Sequence, residues 1–535
     1  MHVFEIVIAL LLGGAGLAAL ARRIQTPYPA LVALAGAGLA LVPGIPTLVL
    51  DPELALALFV APVLLDAAFD ASPRDLRANW RTVAGLALGA VIITVVAVAV
   101  VAKTLVPALP WAAAIALGAI VAPPDAAAAT AVLRQLKPPR RLLVILEGES
   151  LFNDASALLI YRLAVGAMLA GSLSGWSVLP TLLVVTAGSL VLGVVLARIT
   201  AFYTARIADV ATAVIVQFCG TFAVWLIAER LHLSGILTMV VFAMTVSRGA
   251  SEYIGARIRI PSYAVWEVAV FVLNILAFIL VGFQLKLITG RLTRETWIEY
   301  GWVAAAVCLA TILARILWVT GAAGFSRWWC RPRPGGEPGP KDAVALSPKA
   351  ATVVGWCGMR GTVTLAAALA LPTAFPHRDL ILFTSFAVVL GTLVVQGMTL
   401  RPLMNRLQLR DDGEVEREVR LARVEILRAA LSACDAGAGA DTAALVRRRY
   451  ELMLRRAEAE QDHDGNPGAE QELYEELATD AAAVRAAVTA ERQRLADLRA
   501  NDTIGDAAFQ VVEQELDWEE LDLQQLLRTD TVAAG

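Results

Sequence analysis

The sequence predicts an all-α membrane protein with about thirteen transmembrane helices and a helical cytoplasmic tail. Of its 535 residues, 58% are hydrophobic and only 17% are charged, whereas a soluble domain carries about a quarter charged residues. Apolar stretches of spanning length follow one another up to about residue 410. Residues 1–410 hold 31 basic and 19 acidic side chains, whereas residues 411–535 hold 14 and 29. These contrasts predict a transmembrane domain at 1–410 and an acidic tail at 411–535, and they argue against a large soluble enzyme.

The thirteen predicted spans have centres near residues 12, 37, 62, 93, 122, 156, 190, 218, 240, 276, 312, 361 and 391. The joints after odd-numbered spans are rich in arginine, as at Arg74, Arg77 and Arg81, whereas the joints after even-numbered spans hold few basic residues. Positive charge stays on the cytoplasmic side of a membrane. We therefore expect a multi-pass protein of the plasma membrane with its N-terminus outside and its tail in the cytoplasm.

Two of the spans contain helix breakers near their middles. The fifth contains a proline pair in APPD (122–125), and the twelfth contains three glycines in GWCGMRG (355–361). Non-helical backbone at membrane depth occurs where it is buried in protein or lines a cavity. Interrupted helices at corresponding positions of two halves are typical of inverted-repeat transporters. The sequence therefore predicts inverted six-helix repeats around a central seventh span, with spans 5 and 12 discontinuous.

The sixth span carries carboxylates in its middle, in the stretch EGESLFND (147–154). Ionisable groups at this depth are costly and mark ion paths or proton relays. Asp154 lies about 18 Å past the cytoplasmic end of its span, near the midplane, and Asp125 reaches a similar depth in the fifth span. Ser150 shares the face of Asp154. We predict that Asp154, Asp125 and Ser150 bind an alkali cation together with the carbonyl of Pro124, because hard cations prefer oxygen ligands.

Three further polar residues in the spans have open or secondary roles. Glu147 lies two turns before Asp154 on nearly the same stripe and would extend the polar path toward the cytoplasm. Asp66, in the third span, is either a water-linked carboxylate beside the cation or an acid at a helix end. Asn153 either hydrogen-bonds the interrupted backbone or is a purely structural amide.

Arg360, in the twelfth span, is the third intramembrane charge besides Asp125 and Asp154. It lies about 11 residues into its span, too deep to reach an interface by extending its side chain. It therefore needs a buried partner, and Glu149, which points away from the cation face, is the best candidate. We predict a structural Glu149–Arg360 ion pair. For Arg162 and Arg315, which also lie in spans, structural pairing and extension to an interface both stay open.

The tail and the loop before the twelfth span differ from the rest in composition. Residues 331–348 are rich in proline and glycine and are expected to form a flexible linker. The tail shows helical periodicity at 416–434, 443–462 and 469–499. It is either a solvated appendage or a regulatory or oligomerising element, and it contains no nucleotide-binding or metal-binding motif.

The sequence resembles a known protein family over roughly residues 1–410. The matching stretches are APPDAAAATAVLRQLKPPRRL (122–142), EGESLFNDASALLIYRLAVG (147–166), GMRGTVTLAAALALP (358–372) and FAVVLGTLVVQGMTLRPL (386–403). The chain resembles the bacterial sodium/proton antiporters, in the electroneutral branch of the monovalent cation:proton antiporter-1 family. The resemblance implies thirteen helices, a homodimer, a core that moves against a dimerisation domain, and exchange of one cation for one proton.

The resemblance also implies roles for individual residues. Asp154 would be the essential ligand for cation and proton, and Asn153 would belong to the asparagine–aspartate pair of the electroneutral branch. Asp125 and Ser150 would be co-ligands, and Glu149 with Arg360 would form the structural pair. Many relatives carry Thr-Asp in the fifth span where this chain has Pro-Asp, so the cation preference does not carry over.

We therefore expect a secondary transporter that exchanges sodium for protons by alternating access, with potassium/proton exchange as the alternative. Cation and proton would compete for the midplane carboxylates. A cation channel or a membrane sensor on the same scaffold is the rival from another class. No enzymatic activity, no cofactor and no nucleic-acid partner are expected, and the expected partners are the ions, the lipid bilayer and a second copy of the chain.

Overall fold

The computed structural model describes residues 2–24, 26–40, 54, 56–133, 136, 138–170, 175–207, 209–289, 293–329, 346–409, 413–436, 447–451, 453–455, 457–458, 489–498, 501, 512–513 and 516. The chain divides into two compact units, Met1–Asp412 and Gly413–Gly535.

The first unit is built from helices, and no strand occurs among the residues that the structure describes. Its helices are α1 (His2–Arg23), α2 (Tyr28–Ala40), α3 (Ala61–Asp70), α4 (Pro73–Ala84), α5 (Val91–Leu105), α6 (Trp111–Val121), α7 (Ala126–Leu133), α8 (Arg140–Ala170), α9 (Gly175–Thr204), α10 (Val210–Arg230), α11 (Gly235–Tyr253), α12 (Ala256–Thr289), α13 (Arg294–Trp329), α14 (Pro348–Trp356), α15 (Thr362–Leu369) and α16 (Arg378–Leu407).

Several helices begin at side chains that accept hydrogen bonds from free backbone amides. The Ser72 hydroxyl accepts from the amide of Asp75 at the start of α4, and the Ser347 hydroxyl accepts from that of Ala350 at the start of α14. At the start of α10, the exposed Asp209 carboxylate accepts hydrogen bonds from the amide and the hydroxyl of Thr212, both at 2.8 Å. These bonds hold the pKa of the Asp209 carboxyl below its usual range.

Two turns of π-helix interrupt the regular pattern among the residues whose structure is described. Leu56–Val60 leads into α3, and Gly85–Ala90 joins α4 to α5, so that residues 73–105 form one long helix. The widened turn changes the backbone pairing, and the indole nitrogen of Trp318 in α13 donates to the carbonyl of Gly85 at 3.0 Å. Such turns are frequently found at functional sites.

The interrupted helix α6 packs closely on α5. A Cβ added at Gly118 would lie 2.7 Å from the carbonyl oxygen of Val95. The small residue therefore allows the two backbones to touch, as at many helix contacts inside membranes. This contact fixes the end of α6 that leads into residues 122–125.

Within the part of the chain that the structure describes, six helical stretches are long and apolar enough to cross a membrane. They are Pro73–Leu105, Leu183–Thr204, Val210–Arg230, Ala256–Ile279, Glu295–Trp328 and Arg378–Leu407. Four shorter apolar stretches accompany them, namely Tyr28–Leu39, Ala57–Phe69, Trp111–Val121 and Gly235–Gly249. The predicted all-α, multi-pass architecture is confirmed at this level, while the count of thirteen spans and the inverted repeats stay predictions.

The second unit contains α17 (Glu414–Ala436) and short helical stretches. The guanidinium of Arg428 in α17 forms an ion pair with Glu458 at 2.8 Å, and both side chains are exposed. Most of the predicted helices at 443–462 and 469–499 lie outside the described residues. The predicted linker at 331–348 also falls almost entirely outside them.

Candidate cation-binding site

The two interrupted regions meet each other in space. The chain leaves helical geometry between α6 and α7, and again between α14 and α15. The amide of Asp125, in the first gap, donates to the carbonyl of Met359, in the second, at 2.7 Å. A backbone group that has no helical partner in one gap is thus hydrogen-bonded by the backbone of the other gap. Non-helical backbone at membrane depth needs partners of this kind. We call this meeting point the crossing.

Arg360 holds the crossing together through backbone carbonyls. Its Nε donates to the carbonyl of Val121 at 2.8 Å, and its Nη2 donates to that of Ala122 at 3.0 Å. Its Nη1 donates to the carbonyl of Gly358. The side chain is fully buried. A cation favours the carbonyl-bearing end of a helix, so Arg360 stabilises the end of α6.

The predicted Glu149–Arg360 ion pair is wrong, because Glu149 pairs with a different arginine. Glu149 forms a two-pronged ion pair with Arg315 of α13, at 2.5 and 2.8 Å, and both residues are about 1% exposed. Arg315 also donates to the carbonyl of Val354 in α14, at 3.1 Å. The physical reason is that the guanidinium of Arg360 is already occupied by carbonyls at the crossing. Of the two roles left open for Arg315, buried pairing is the one observed.

Arg162, the other basic residue whose role was left open, lies in the C-terminal half of α8. It pairs with Glu229 of α10 at 3.2 Å, and the two side chains are 53% and 38% exposed. Solvent-exposed pairs of this kind contribute about 0–1 kcal/mol. This exposed pair is therefore expected to contribute little to the stability of the protein.

A cavity of about 220 Å³ lies beside the crossing and gathers most of the predicted residues. Asp125, Asp154, Ser150 and Pro124 all line it, as do Asp66 and Glu147. Asp154 is only 6% exposed. Carboxylate groups from α8, from the crossing and from α3 thus share one small space, together with a hydroxyl and a carbonyl.

Asn153 lies behind this cavity and has no exposed surface. Its Nδ2 donates to the carbonyl of Pro124 at 3.0 Å. The structure therefore shows the hydrogen bond to the interrupted backbone that was one of its two open roles. Its Oδ1 is buried and has no hydrogen-bond partner among the residues described.

Further polar side chains line the cavity that sequence reasoning missed. They are Tyr28, Thr130, Asn274, Thr362 and Thr364. Tyr28 of α2 and Asn274 of α12 reach the cavity from two helices that pack against each other. An amide side chain close to the centre of the apolar tenth span was the available signal for Asn274, whereas Tyr28, close to a polar joint, gave none.

The carboxylate of Asp125 lies directly against Gly361. A Cβ added at Gly361 would overlap Oδ2 of Asp125 and lie 2.5 Å from its Cγ. The carboxylate and the backbone of the crossing are therefore in contact, and any side chain at residue 361 must displace one of them.

Replacement of this glycine tests the geometry. Gly361→Ala is expected to push the Asp125 carboxylate aside and lower cation-driven proton transport on the order of 100-fold, the loss that a misplacement of about 1 Å causes at a reacting centre. The measurement is exchange in vesicles. Gly220→Ala in α10 is the matched control, because an added Cβ there meets nothing within 4 Å. Equal activity of the two variants would contradict this placement of Asp125.

The arrangement is suited to hard monovalent cations and to protons. The cavity offers carboxylate, hydroxyl and carbonyl oxygens, which such cations prefer. Across the described ranges, no group of three or more histidine, cysteine, aspartate or glutamate side chains is placed to hold a metal ion. The oxygen atoms that line the cavity are of the kind that an alkali cation needs.

Comparison with known families gives a match over most of the first unit. The family described as "Sodium/hydrogen exchanger, transmembrane" matches residues 6–406. The chain belongs to this family. The family resemblance drawn from the sequence is thus confirmed, and the chain is a multi-pass membrane protein of a family of transporters.

Individual relatives agree with this assignment. The chain is 29% identical to an uncharacterized Na⁺/H⁺ exchanger of Mycobacterium tuberculosis, over 94% of this chain and 93% of the relative. It is 31% identical to a sodium, potassium, lithium and rubidium/H⁺ antiporter of Bacillus subtilis, over 66% of this chain and 54% of the relative. The solved sodium proton antiporter MjNhaP1 from Methanocaldococcus jannaschii shares the fold, with a TM-score of 0.60, 18% identity, and coverage of 76% of this chain and 99% of that one.

Proposed function

We propose that the protein exchanges an alkali cation, sodium in the first instance, for protons across the plasma membrane. The observation that carries this proposal is the small cavity at the crossing, which is shared by the carboxylates of Asp125 and Asp154. Two carboxylates close together hold either a cation or protons, because full ionisation without a counter-charge is unfavourable. Occupation by one ion therefore excludes the other.

The ligands of the cation are the carboxylates of Asp154 and Asp125, the hydroxyl of Ser150 and the carbonyl of Pro124. The Pro124 carbonyl already accepts a hydrogen bond from Asn153. A carbonyl oxygen has two lone pairs, so one is left for the cation. The carbonyls of Val121 and Ala122 are bound by Arg360 instead. Asp66 and Glu147 lie on the path between this site and the cytoplasm.

Transport follows from alternate exposure of this cavity to the two sides. The crossing is the midplane feature of a transporter with thirteen spans, inverted repeats and discontinuous spans 5 and 12. The N-terminus lies outside and the acidic tail lies in the cytoplasm, as the arginine distribution indicates. The exchange is electroneutral, one cation for one proton, and the working unit is a homodimer, as the family resemblance implies.

Potassium/proton exchange is the second candidate. It is favoured by the Bacillus subtilis relative, whose name includes potassium among four exchanged cations. Pro124 in place of the threonine of many relatives removes a hydroxyl beside the site, and the ion preference follows from the remaining ligands. Both candidates use the same cavity.

The deciding experiment is exchange in proteoliposomes that contain the purified protein. Each alkali cation is imposed as a gradient while the internal pH is followed, with the membrane voltage clamped by an ionophore. The proposal expects cation-driven proton movement in either direction that is insensitive to the voltage. A conductance that needs no counter-ion would indicate a channel, and an absence of ion movement with every cation would indicate a sensor.

Competition predicts the sign of the pH dependence. Protons refill the carboxylates as the pH falls, so cation binding weakens toward low pH and strengthens toward high pH until the site is fully deprotonated. The apparent KM for sodium, measured over a series of pH values, should therefore rise as the pH falls, with little change in the maximal rate. A KM independent of pH would be inconsistent with a shared site.

A further inference from the structure

A second and much larger cavity lies on the other side of α8. It has a volume of about 1260 Å³ and is bounded by α4, α8, α10 and α11, with contributions from α9 and α15. We call it the crevice. Its wall is mainly apolar, with residues such as Leu76, Val83, Leu158, Trp225 and Leu237. At membrane depth, an apolar crevice is suited to acyl chains and unsuited to water or ions.

The charged side chains of the crevice lie at its two ends, and Arg162, Glu229, Arg230 and His232 lie at one of them. At this end, Arg162 and Glu229 pair at 3.2 Å, and Glu229 also accepts from the amide of Gly235 at 3.4 Å. Arg248 also lines the crevice, and it lies thirteen residues further along α11 than Gly235, about 20 Å away at 1.5 Å per residue. Arg248 therefore lies at the other end.

Arg77 lies at the same end as Arg248. The start of α4 is tied to the start of α8, because Asp75 and Arg140 form an ion pair at 2.8 Å. Arg162 lies 22 residues after Arg140 along α8. Arg77 is only two residues from Asp75, so it is remote from the Arg162–Glu229 pair. This end thus carries two arginines from different helices, and neither has an ion-pair partner among the described residues.

Trp80, one turn after Arg77, lines the same end and is 60% exposed. Tryptophan is enriched at the level of lipid headgroups, where its ring is apolar and its N–H is polar. Arginine pairs readily with phosphate. Basic pockets between transmembrane helices on the cytoplasmic side bind anionic lipid headgroups.

We infer that the crevice binds one anionic phospholipid, with its phosphate at Arg77 and Arg248 and its acyl chains along the apolar wall toward Arg162. This lies beyond the proposed ion exchange. The lipid would touch α8, which carries Asp154, and also α10 and α11, so its binding would alter the exchange rate if these helices move relative to one another.

Lipid retention provides the test, and it is independent of transport. The purified full-length protein is incubated with phosphatidylglycerol and phosphatidylcholine in equal amounts and analysed by native mass spectrometry. The wild type should retain phosphatidylglycerol selectively. Arg77→Gln with Arg248→Gln should weaken that binding about 30-fold, since one basic residue near a membrane surface contributes roughly fivefold. Arg198→Gln, an exposed arginine of α9 outside the crevice, should retain the lipid like the wild type.

Reconstitution gives the second readout. Exchange by the wild type should be faster in vesicles of phosphatidylglycerol and phosphatidylcholine than in vesicles of phosphatidylcholine alone, and the double variant should lose this difference. Equal retention of both lipids by the wild type, or unchanged retention by the double variant, would overturn the inference. Cross-linking of two copies through Leu88→Cys in lipid-free protein would assign the crevice to a second copy and would also overturn it. Failure of exchange with intact lipid selectivity would instead count against the proposed function alone.

Discussion

Asp154→Asn is expected to reduce cation-driven proton transport to the background of empty vesicles. The amide has the size of the carboxylate, so the cavity keeps its shape, but it carries no charge for the cation and releases no proton. Both transported ions therefore lose the same ligand. The thermal stability should be equal to that of the wild type or higher, because a buried carboxylate beside Asp125 is removed.

The matched control makes the same chemical change at an exposed helix start. Asp209 caps α10, and asparagine is as good a cap as aspartate. Asp209→Asn should therefore keep wild-type exchange. Full activity of Asp154→Asn, with this control also active, would remove Asp154 from the mechanism.

Loss of the buried ion pair should cause the largest change in stability. Arg315→Ala leaves Glu149 buried without its partner, which costs about 3–5 kcal/mol. The expected result is a lower melting temperature and a lower yield of folded protein in detergent. Replacing both partners by apolar residues, with Glu149→Leu and Arg315→Met, should restore most of the stability, because neither charge is then buried.

The exposed pair between Arg162 and Glu229 provides the comparison. Arg162→Ala should change the stability by less than about 1 kcal/mol, because neither side chain is buried. Thermal unfolding of the three variants in the same detergent separates the effects. Arg315→Ala with a wild-type melting temperature would contradict the assigned pair.

The helix interruptions were predictable because their causes are local. The proline pair at 123–124 cannot donate backbone hydrogen bonds, and three glycines in seven residues weaken the twelfth span. The acidic residues of the cavity were predictable for a related reason, since carboxylates in apolar segments are costly and need a shared polar site. Sequence periodicity also placed Ser150 on the side of Asp154.

The partner of Glu149 was not predictable from the same information. A helical wheel gives the direction of the Glu149 side chain but not which neighbouring helix packs there. Arg315 and Arg360 were both available, and the choice depends on the crossing, where three carbonyls occupy Arg360. Tertiary packing decides this contact.

Two other features depend on packing in the same way. Tyr28 and Asn274 come from helices distant in sequence and contribute to the cavity only because α2 and α12 lie beside it. The π-turn at Gly85–Ala90 lies in an ordinary apolar sequence, GLALGA, which gives no sign of a widened turn. The carbonyl of Gly85 in this turn accepts a hydrogen bond from Trp318, more than two hundred residues away.

The central claim, that cation and proton share one pair of carboxylates, is tested most directly by counting protons released on cation binding. Sodium is added to the purified protein in weakly buffered detergent near the pH at which the site is half protonated, and the pH change is recorded. We expect proton release that saturates with sodium and disappears in Asp154→Asn. Saturable sodium binding without proton release, or release that persists in the variant, would contradict the account.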